Sequence, residues 1–202
     1  MDATALLDAA VAQFALTGVR RTSADDIARR AGVNRATLYR RLGTKSEILN
    51  QAILQETARA LSRIETAIGD VPAPGTPGFD PAAYVLRFFS VTIDEVRGNE
   101  LLRQVKLMDR EDALVGLTER AGDALALAAE LSADRIRKLR AYVGNPDRRD
   151  ITAVSITLAR LTQSLLLTPD GPPRLDTTPR RRRYVDDVIV PMVLGRQAGH
   201  GG

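Results

Sequence analysis

The stretch that decides the fold is TSADDIARRAGVNRATLYRRLGTKSE, residues 22–47. Apolar residues recur in it at helical spacing, but a glycine, an asparagine and several arginines interrupt the rhythm before it resumes. Two short helices joined by a tight turn would give this pattern, and so would one surface helix broken by chance. The individual positions favour the two-helix interpretation.

The first short helix is predicted to begin after Ser23 and to end near Ala31. Ser23-x-x-Asp26 has the spacing of a capping box, in which each side chain satisfies a backbone N–H of the other residue. Gly32 follows, and a glycine can take the positive φ that a sharp turn needs.

A second short helix is predicted over residues 35–42, with Asn34 as its N-cap. Ala28, Gly32 and Leu38 then have the spacing A-x3-G-x5-L. The small residue lets the two helices approach, the glycine turns the chain, and the branched apolar residue fixes the angle. This arrangement is typical of a helix-turn-helix.

Thr44-x-x-Glu47 is a second capping box, which predicts a longer helix to about Ile68. It places Lys45 in the first turn, where the helix dipole disfavours a cation. A nearby phosphate would explain the cation, because helix N–H groups and a lysine can bind one together.

Basic residues are concentrated in this part of the chain. Residues 18–45 contain eight Lys or Arg and two Asp, a net charge of +6, whereas the whole chain carries +4. Such an excess attracts polyanions, although a solvated charged face is the commoner explanation. The outward positions of the second short helix are Arg35, Ala36, Thr37, Tyr39, Arg40 and Arg41.

The segment TSADDIARRAGVNRATLYRRLGTKSEIL, residues 22–49, resembles the N-terminal DNA-binding signature of the TetR family of bacterial repressors, and the match extends over about residues 4–50. The resemblance implies that base edges are contacted by Arg35, Ala36 and Thr37. It implies that phosphates are contacted by Thr22, Ser23, Tyr39, Arg41 and Lys45. Two positions depart from the family pattern, which often has an aromatic residue or His at Arg41 and Phe at Leu42. Arg41 adds charge, so we expect a stronger non-specific component of DNA binding.

Helical periodicity continues almost to the end of the chain, which predicts an all-α protein of about nine helices. The resemblance divides these into an N-terminal three-helix helix-turn-helix DNA-binding domain, residues 1–47, and a C-terminal helical ligand-binding and dimerisation domain, residues 48–202. A disordered tail is predicted from about residue 196. The Pro- and Gly-rich segment 69–81 predicts a loop between structural units.

Two C-terminal helices carry apolar stripes that suit a homodimer. The first stripe has the 3, 4, 3, 4 spacing of a heptad seam, and two such helices from each subunit would form a four-helix bundle. The predicted interface consists of Ile151, Val154, Leu158, Leu161, Leu165, Val185, Val188, Ile189 and Met192. The alternative is that these faces pack inside one subunit.

The resemblance also implies that the protein is released from DNA by a small molecule. Apolar or small polar residues of the middle helices are the candidates for an effector pocket, which would favour a largely apolar ligand. They are Phe88, Phe89, Thr92, Leu102, Val105 and Met108. Each of them is also suited to an ordinary core position.

Several classes of function have little to build on. The chain has no Cys, and its single His, His200, lies in a Gly-rich tail, so we expect no metal, no cofactor and no enzymatic activity. No apolar run approaches the ~20 residues that span a bilayer, and the N-terminus lacks a signal peptide's basic region. We therefore expect a cytoplasmic protein with no membrane partner.

The leading hypothesis is a repressor that binds a palindromic operator in double-stranded DNA as a homodimer and is released by a small-molecule effector. The alternative is a helical interaction module that keeps the fold without sequence-specific DNA binding.

Overall fold

The computed structural model describes residues 2–106, 118–119, 121–145 and 150–195. Within these ranges the secondary structure consists of helices and turns, with no strand. The helices are α1 (Ala3–Thr17), α2 (Ala24–Ala31), α3 (Arg35–Leu42), α4 (Lys45–Ile68), α5 (Pro81–Gly98), α6 (Glu100–Lys106), α7 (Gly122–Tyr142), α8 (Ile151–Leu167) and α9 (Thr178–Leu194). The last of these is α-helical over Thr178–Tyr184, forms a π-helical turn over Val185–Ile189 and is α-helical again over Val190–Leu194. The predicted all-α fold of about nine helices is confirmed. The predicted disordered tail lies outside the described residues.

The start of α5 is fixed by a capping residue and a proline. Asp80 precedes α5, and its Oδ1 accepts hydrogen bonds from the backbone N–H groups of Ala82 and Ala83 at 2.9 and 3.1 Å. Pro81 occupies the first helical position, where its missing N–H costs nothing. A loop over residues 69–80 accordingly separates α4 from α5.

The chain forms two compact units, neither of which is continuous in sequence. The first contains Met1–Ala60 and Val96–Ala124, and the second contains Leu61–Glu95 and Leu125–Gly202. The domain boundary predicted between residues 47 and 48 is a division by function and stays a prediction.

In the first unit, α1 packs against α2, α3 and α6. The centre of this packing is formed by fully buried side chains, among them Leu6, Phe14, Ile27, Leu38 and Ile48. Burying each of these side chains contributes about 1.5–3 kcal/mol. Polar contacts add to the packing, because the side-chain amide of Gln55 on α4 donates to Asp8 Oδ1 on α1 at 2.6 Å.

The second unit has its own apolar core. Ile64, Ile68, Ile93 and Leu139 are at most 2% exposed, and they come from α4, α5 and α7. The residues of α8 and α9 that complete this core are Ile151, Val154, Leu165, Val185, Ile189 and Val193.

Most of the predicted dimer-interface residues belong to this core or lie at its edge. Ile151, Val154, Leu165, Val185 and Ile189 are buried within one subunit, and Leu158, Leu161 and Met192 pack against them. Val188 alone of the predicted set is well exposed, at 43%. Heptad spacing predicts an apolar stripe but does not say what covers it. Its buried members pack inside the subunit, Leu158 and Leu161 are half-buried, and the dimer interface stays a prediction.

The predicted effector pocket remains untested. Phe89 is buried in the core of the second unit, with its ring 6.0 Å from that of Tyr184, and Phe88 and Thr92 are half-buried in the same unit. Leu102 belongs to the first unit. Of the other two predicted residues, the Val105 side chain and the whole of Met108 lie outside the described part of the chain.

A buried arginine joins the C-terminal helices. The side chain of Arg140, near the end of α7, is 2% exposed. Its Nε donates to the backbone carbonyl of Val193 at 2.9 Å, one of its terminal nitrogens donates to that of Met192 at 3.2 Å, and the guanidinium pairs with Asp150. These contacts satisfy carbonyls that the end of α9 leaves without helical partners.

Candidate nucleic-acid interface

The start of α2 is fixed by a reciprocal capping box. Ser23 Oγ accepts a hydrogen bond from the Asp26 backbone N–H at 3.1 Å, and Asp26 Oδ2 accepts one from the Ser23 N–H at 2.9 Å. The Ser23 hydroxyl donates to the same oxygen at 2.6 Å. These hydrogen bonds from Ser23, with a smaller contribution from the charge of Arg29, hold the pKa of Asp26 below its ordinary value.

The turn between α2 and α3 is tight because Gly32 takes a left-handed conformation, with φ of 67°. This conformation suits glycine because a Cβ would strain the backbone. The Val33 N–H donates to the carbonyl of Ala28 at 3.0 Å, and Asn34 Oδ1 accepts from the Thr37 N–H at 2.8 Å. The end of α2, the turn and the start of α3 are thus joined by hydrogen bonds.

Packing decides which face of α3 is presented to solvent. Leu38 and Leu42 are 0% and 3% exposed and anchor the helix to the first unit. The side-chain amide of Gln51 on α4 donates to the carbonyl of Leu42 at 2.9 Å, which satisfies a group at the end of α3. The opposite face therefore points away from the protein.

The exposed surface of α3 contains the predicted base-contacting residues. Arg35 and Ala36 are exposed and Thr37 is half-buried, and exposed Arg40 and Arg41 follow along the helix. This surface carries three guanidinium groups and, within α3, no acidic residue. The major groove of DNA admits an α-helix, and exposed cationic side chains on that helix favour binding there.

The start of α4 provides a second cationic position. Thr44 and Glu47 form the predicted capping box, in which the Glu47 carboxylate accepts from the Thr44 N–H at 2.7 Å and the Thr44 hydroxyl oxygen accepts from the Glu47 N–H at 3.3 Å. Lys45 Nζ lies 3.5 Å from the backbone carbonyl oxygen of Arg20. Lys45 thus places a cationic side chain at the N-terminus of α4, beside the backbone of Arg20.

One of the predicted phosphate contacts, Thr22, is buried. Thr22 is 1% exposed, and its hydroxyl lies 2.8 Å from both the Thr17 hydroxyl and the Gly18 carbonyl. The Thr22 side chain therefore links the end of α1 to the segment before α2 and does not face solvent. Among the other predicted phosphate contacts, Ser23 and Arg41 are exposed, whereas Tyr39 and Lys45 are half-buried.

Sequence reasoning did not single out Asp25 or Gln51. Arg35 donates to Asp25 Oδ2 at 3.2 Å and to the Tyr39 hydroxyl at 3.2 Å, and its guanidinium carbon lies 5.2 Å from the Tyr39 ring centroid. Asp25 lies in the first turn of α2, and Arg35 is the first residue of α3. The sequence signal for this contact was therefore an acidic residue at the start of one helix and an arginine at the start of the next. Gln51 offered no comparable signal.

Comparison with known proteins agrees with this geometry. Residues 6–52 match the family model described as bacterial regulatory proteins, tetR family. An uncharacterised HTH-type transcriptional regulator of Mycobacterium bovis is 31% identical over 147 residues, which cover 72% of this chain and 71% of the relative. Another such regulator, of Mycobacterium tuberculosis, is 28% identical over 203 residues, covering 100% of this chain and 93% of the relative.

Solved structures share the fold at lower sequence identity. The TetR family repressor AlkX from Dietzia sp., described as implicated in biodegradation of n-alkanes, is 18% identical with a TM-score of 0.70, covering 96% of this chain and 95% of that one. The TetR family transcriptional repressor QsdR of R. erythropolis is 19% identical with a TM-score of 0.64, covering 99% and 97% of the two chains.

The capped pair of short helices with its exposed cationic residues, together with these relatives, identifies a helix-turn-helix transcriptional regulator, a DNA-binding protein. The chain belongs to the TetR family of bacterial regulatory proteins. In the described parts of the chain, no helix is long and apolar enough to cross a membrane.

Proposed function

We propose that this protein is a repressor that binds a palindromic operator as a homodimer and is released by a small, largely apolar effector. The observation that carries the proposal is the α3 face, on which Arg35, Arg40 and Arg41 are exposed while Leu38 and Leu42 fix the helix from behind. A rigidly held helix with exposed arginines is suited to sequence recognition in the major groove.

Arg35, Ala36 and Thr37 are the residues of α3 that contact base edges. Arg35 recognises guanine through a pair of hydrogen bonds, and Thr37 presents both a hydroxyl and a methyl group to the groove. Ser23, Tyr39, Arg41 and Lys45 bind phosphates and set the position of α3 on the duplex. Thr22 is omitted from this group because its hydroxyl is buried and hydrogen-bonded within the protein.

The homodimer forms through the outer faces of α8 and α9. The inner faces of both helices are covered by their own subunit, but Ile156 on α8 and Val188 on α9 are 44% and 43% exposed. Ala153 and Arg160 continue the exposed face of α8 at helical spacing. A symmetric dimer places two copies of α3 in successive major grooves, which is why the operator is palindromic.

The effector binds the second unit and prefers a form of the dimer in which the two copies of α3 no longer match the operator spacing. The effector lowers DNA affinity only to the extent that it binds this form more tightly than the DNA-bound form. The apolar character of the second unit's core supports an apolar ligand, and Phe88, Phe89 and Thr92 are the candidates for contact with it.

The DNA assignment is tested with three variants that each remove one cation. On a duplex carrying a selected binding site, Arg35→Ala is expected to abolish preference at one base pair per half-site, a loss of about 1–3 kcal/mol. Lys45→Ala is expected to weaken binding to every sequence alike and to reduce the salt dependence. Arg183→Ala, at an exposed position of α9, is the matched control and should change neither.

Fluorescence anisotropy at two salt concentrations, with scrambled DNA beside the selected site, measures both effects. If Arg35→Ala leaves base preference intact, the assignment of Arg35 to a base contact is wrong. If Lys45→Ala leaves affinity and salt dependence unchanged, the phosphate assignment is wrong. Weak binding by the wild type, equal for selected and scrambled DNA, would favour an interaction module that keeps the fold without reading DNA.

A further inference from the structure

The guanidinium of Arg35 is held in place before any DNA is bound. Its two terminal nitrogens donate to Asp25 Oδ2 and to the Tyr39 hydroxyl, each at 3.2 Å, and the group lies over the Tyr39 ring at 5.2 Å from the centroid. These contacts come from two directions, since Asp25 is on α2 and Tyr39 is one turn further along α3.

This arrangement leaves Arg35 able to bind a base. An arginine has five N–H donors, and the two contacts just described use one on each terminal nitrogen. The remaining donors suffice for the two parallel hydrogen bonds with which arginine recognises guanine. The contact with Asp25 therefore need not be given up on binding.

The same contact contributes little to folding stability. The side chains of Arg35 and Asp25 are 58% and 55% exposed, and an ion pair between exposed side chains contributes little to stability because solvent screens it. Asp25 also places a negative charge on the DNA-facing side, where phosphates repel it. Asp25 also lies in the first turn of α2, where the helix dipole favours a carboxylate. That interaction accounts for a negative charge at this position, but not for its contact with Arg35 on the next helix.

We propose that Asp25 is a positioning residue that determines sequence specificity, holding Arg35 ready for one base while discouraging binding to DNA of any sequence. This inference rests on the base contact assigned to Arg35 under the proposed function. Two physical effects carry it. A pre-ordered side chain loses less rotamer freedom on binding. A carboxylate near phosphates weakens binding to DNA of any sequence, and only the hydrogen bonds between Arg35 and its preferred base offset that repulsion.

The test uses the full-length protein and measures affinity for the selected duplex, for its single-base variants and for scrambled DNA. Asp25→Asn is expected to reduce discrimination by about three- to tenfold at the base pair read by Arg35, the equivalent of freeing one ordered side chain, and to leave the other positions unchanged. Its affinity for scrambled DNA at low salt is expected to rise. Asp25→Glu retains the carboxylate and should keep most of the discrimination.

Two further variants separate positioning from other effects. In Asp25→Asn/Arg35→Ala, the asparagine should have no additional effect on discrimination, because the residue it acts through is absent. Asp170→Asn removes the same charge in the exposed loop between α8 and α9 and should change neither discrimination nor affinity for scrambled DNA. A purely structural role of Asp25 would instead lower the melting temperature and weaken all sequences alike.

The outcomes are distinguishable. If Arg35→Ala lowers discrimination at one base pair and Asp25→Asn does not, the positioning role is overturned while the proposed function stands. If Arg35→Ala has no effect on discrimination at any base pair, the base contact in the proposed function fails and the positioning role fails with it. Equal losses with Asp25→Asn and Asp25→Glu at every position would assign Asp25 to folding alone.

Discussion

The carboxylate of Glu47 occupies the space that a side chain on Gly43 would need. A Cβ built on Gly43 would lie 2.3 Å from Glu47 Oε2, the oxygen that accepts the hydrogen bond from the Thr44 N–H. Gly43 also has φ of 81° and ψ of −155°, a conformation that is essentially restricted to glycine. The connection between α3 and α4 therefore depends on glycine mainly through its backbone conformation, and the Glu47 carboxylate would also have to shift to admit a side chain.

Gly43→Ala is expected to destabilise the protein by about 1–3 kcal/mol, since the backbone is strained and the capping box must open. DNA affinity should fall as well, because Lys45 follows directly on this connection. Gly98→Ala is the control, at an exposed helix end where nothing lies within 4 Å of the added Cβ, and it should be neutral or slightly stabilising. Chemical denaturation compares the two, and equal stability would contradict the strain argument.

Arg140→Met should destabilise the protein by about 1–3 kcal/mol, because the carbonyls of Met192 and Val193 lose their donors at the end of α9. Arg182→Met, at an exposed site on α9, should change stability by no more than about 0.5 kcal/mol. Thermal unfolding of both variants measures the difference. If Arg140→Met is as stable as the wild type, the carbonyls of Met192 and Val193 accept hydrogen bonds from water instead.

The combined substitution Ile156→Arg/Val188→Arg is expected to produce monomers that remain folded, because it places charges on the outer faces of α8 and α9 and leaves the core intact. The dimer should weaken on the order of a hundredfold or more. Leu16→Arg makes the same change at a site on α1 that is 67% exposed, and it should stay dimeric. Sedimentation velocity separates these outcomes, and an intact dimer in the double variant would move the interface elsewhere.

The capping box at Ser23 predicts a specific pH dependence. Because the pKa of Asp26 is lower in the folded state than its ordinary value, the stabilisation from Asp26 is complete above about pH 4 and is lost as the pH falls through the lowered pKa. Asp26→Asn should lower the melting temperature at pH 7, and the difference from the wild type should shrink as the pH falls below that point. Asp170→Asn should show a smaller difference at pH 7. A difference for Asp26→Asn that is constant with pH would contradict the cause assigned.

Local signals predicted the helix-turn-helix well. Ser23, Asn34 and Thr44 cap their helices with their own side chains, and Gly32 turns the chain through its own conformation. These four positions determine the starts of α2, α3 and α4 and the end of α2. Such interactions span three or four residues and can be read from spacing.

Interactions between distant segments could not be read in this way. The stripe from Ile151 to Leu165 was predicted as apolar, but its spacing could not show that Ile151, Val154 and Leu165 are buried in the core of their own subunit. The burial of Thr22 depends on how α1 ends, and the position of Arg140 depends on where α9 ends, far along the chain. Asp25 meets Arg35 only because the turn brings the two helices together.

The most direct test of sequence reading by α3 is selection from a library of random-sequence duplexes with the full-length protein at moderate salt. We expect enrichment of an inverted repeat whose half-sites are centred about one helical turn, or a multiple of it, apart. We also expect that Arg35→Ala, put through the same selection, enriches a site with one base pair per half-site no longer specified. If the wild type enriches no common sequence, the protein does not read DNA through α3, and its proposed role as an operator-binding repressor is wrong.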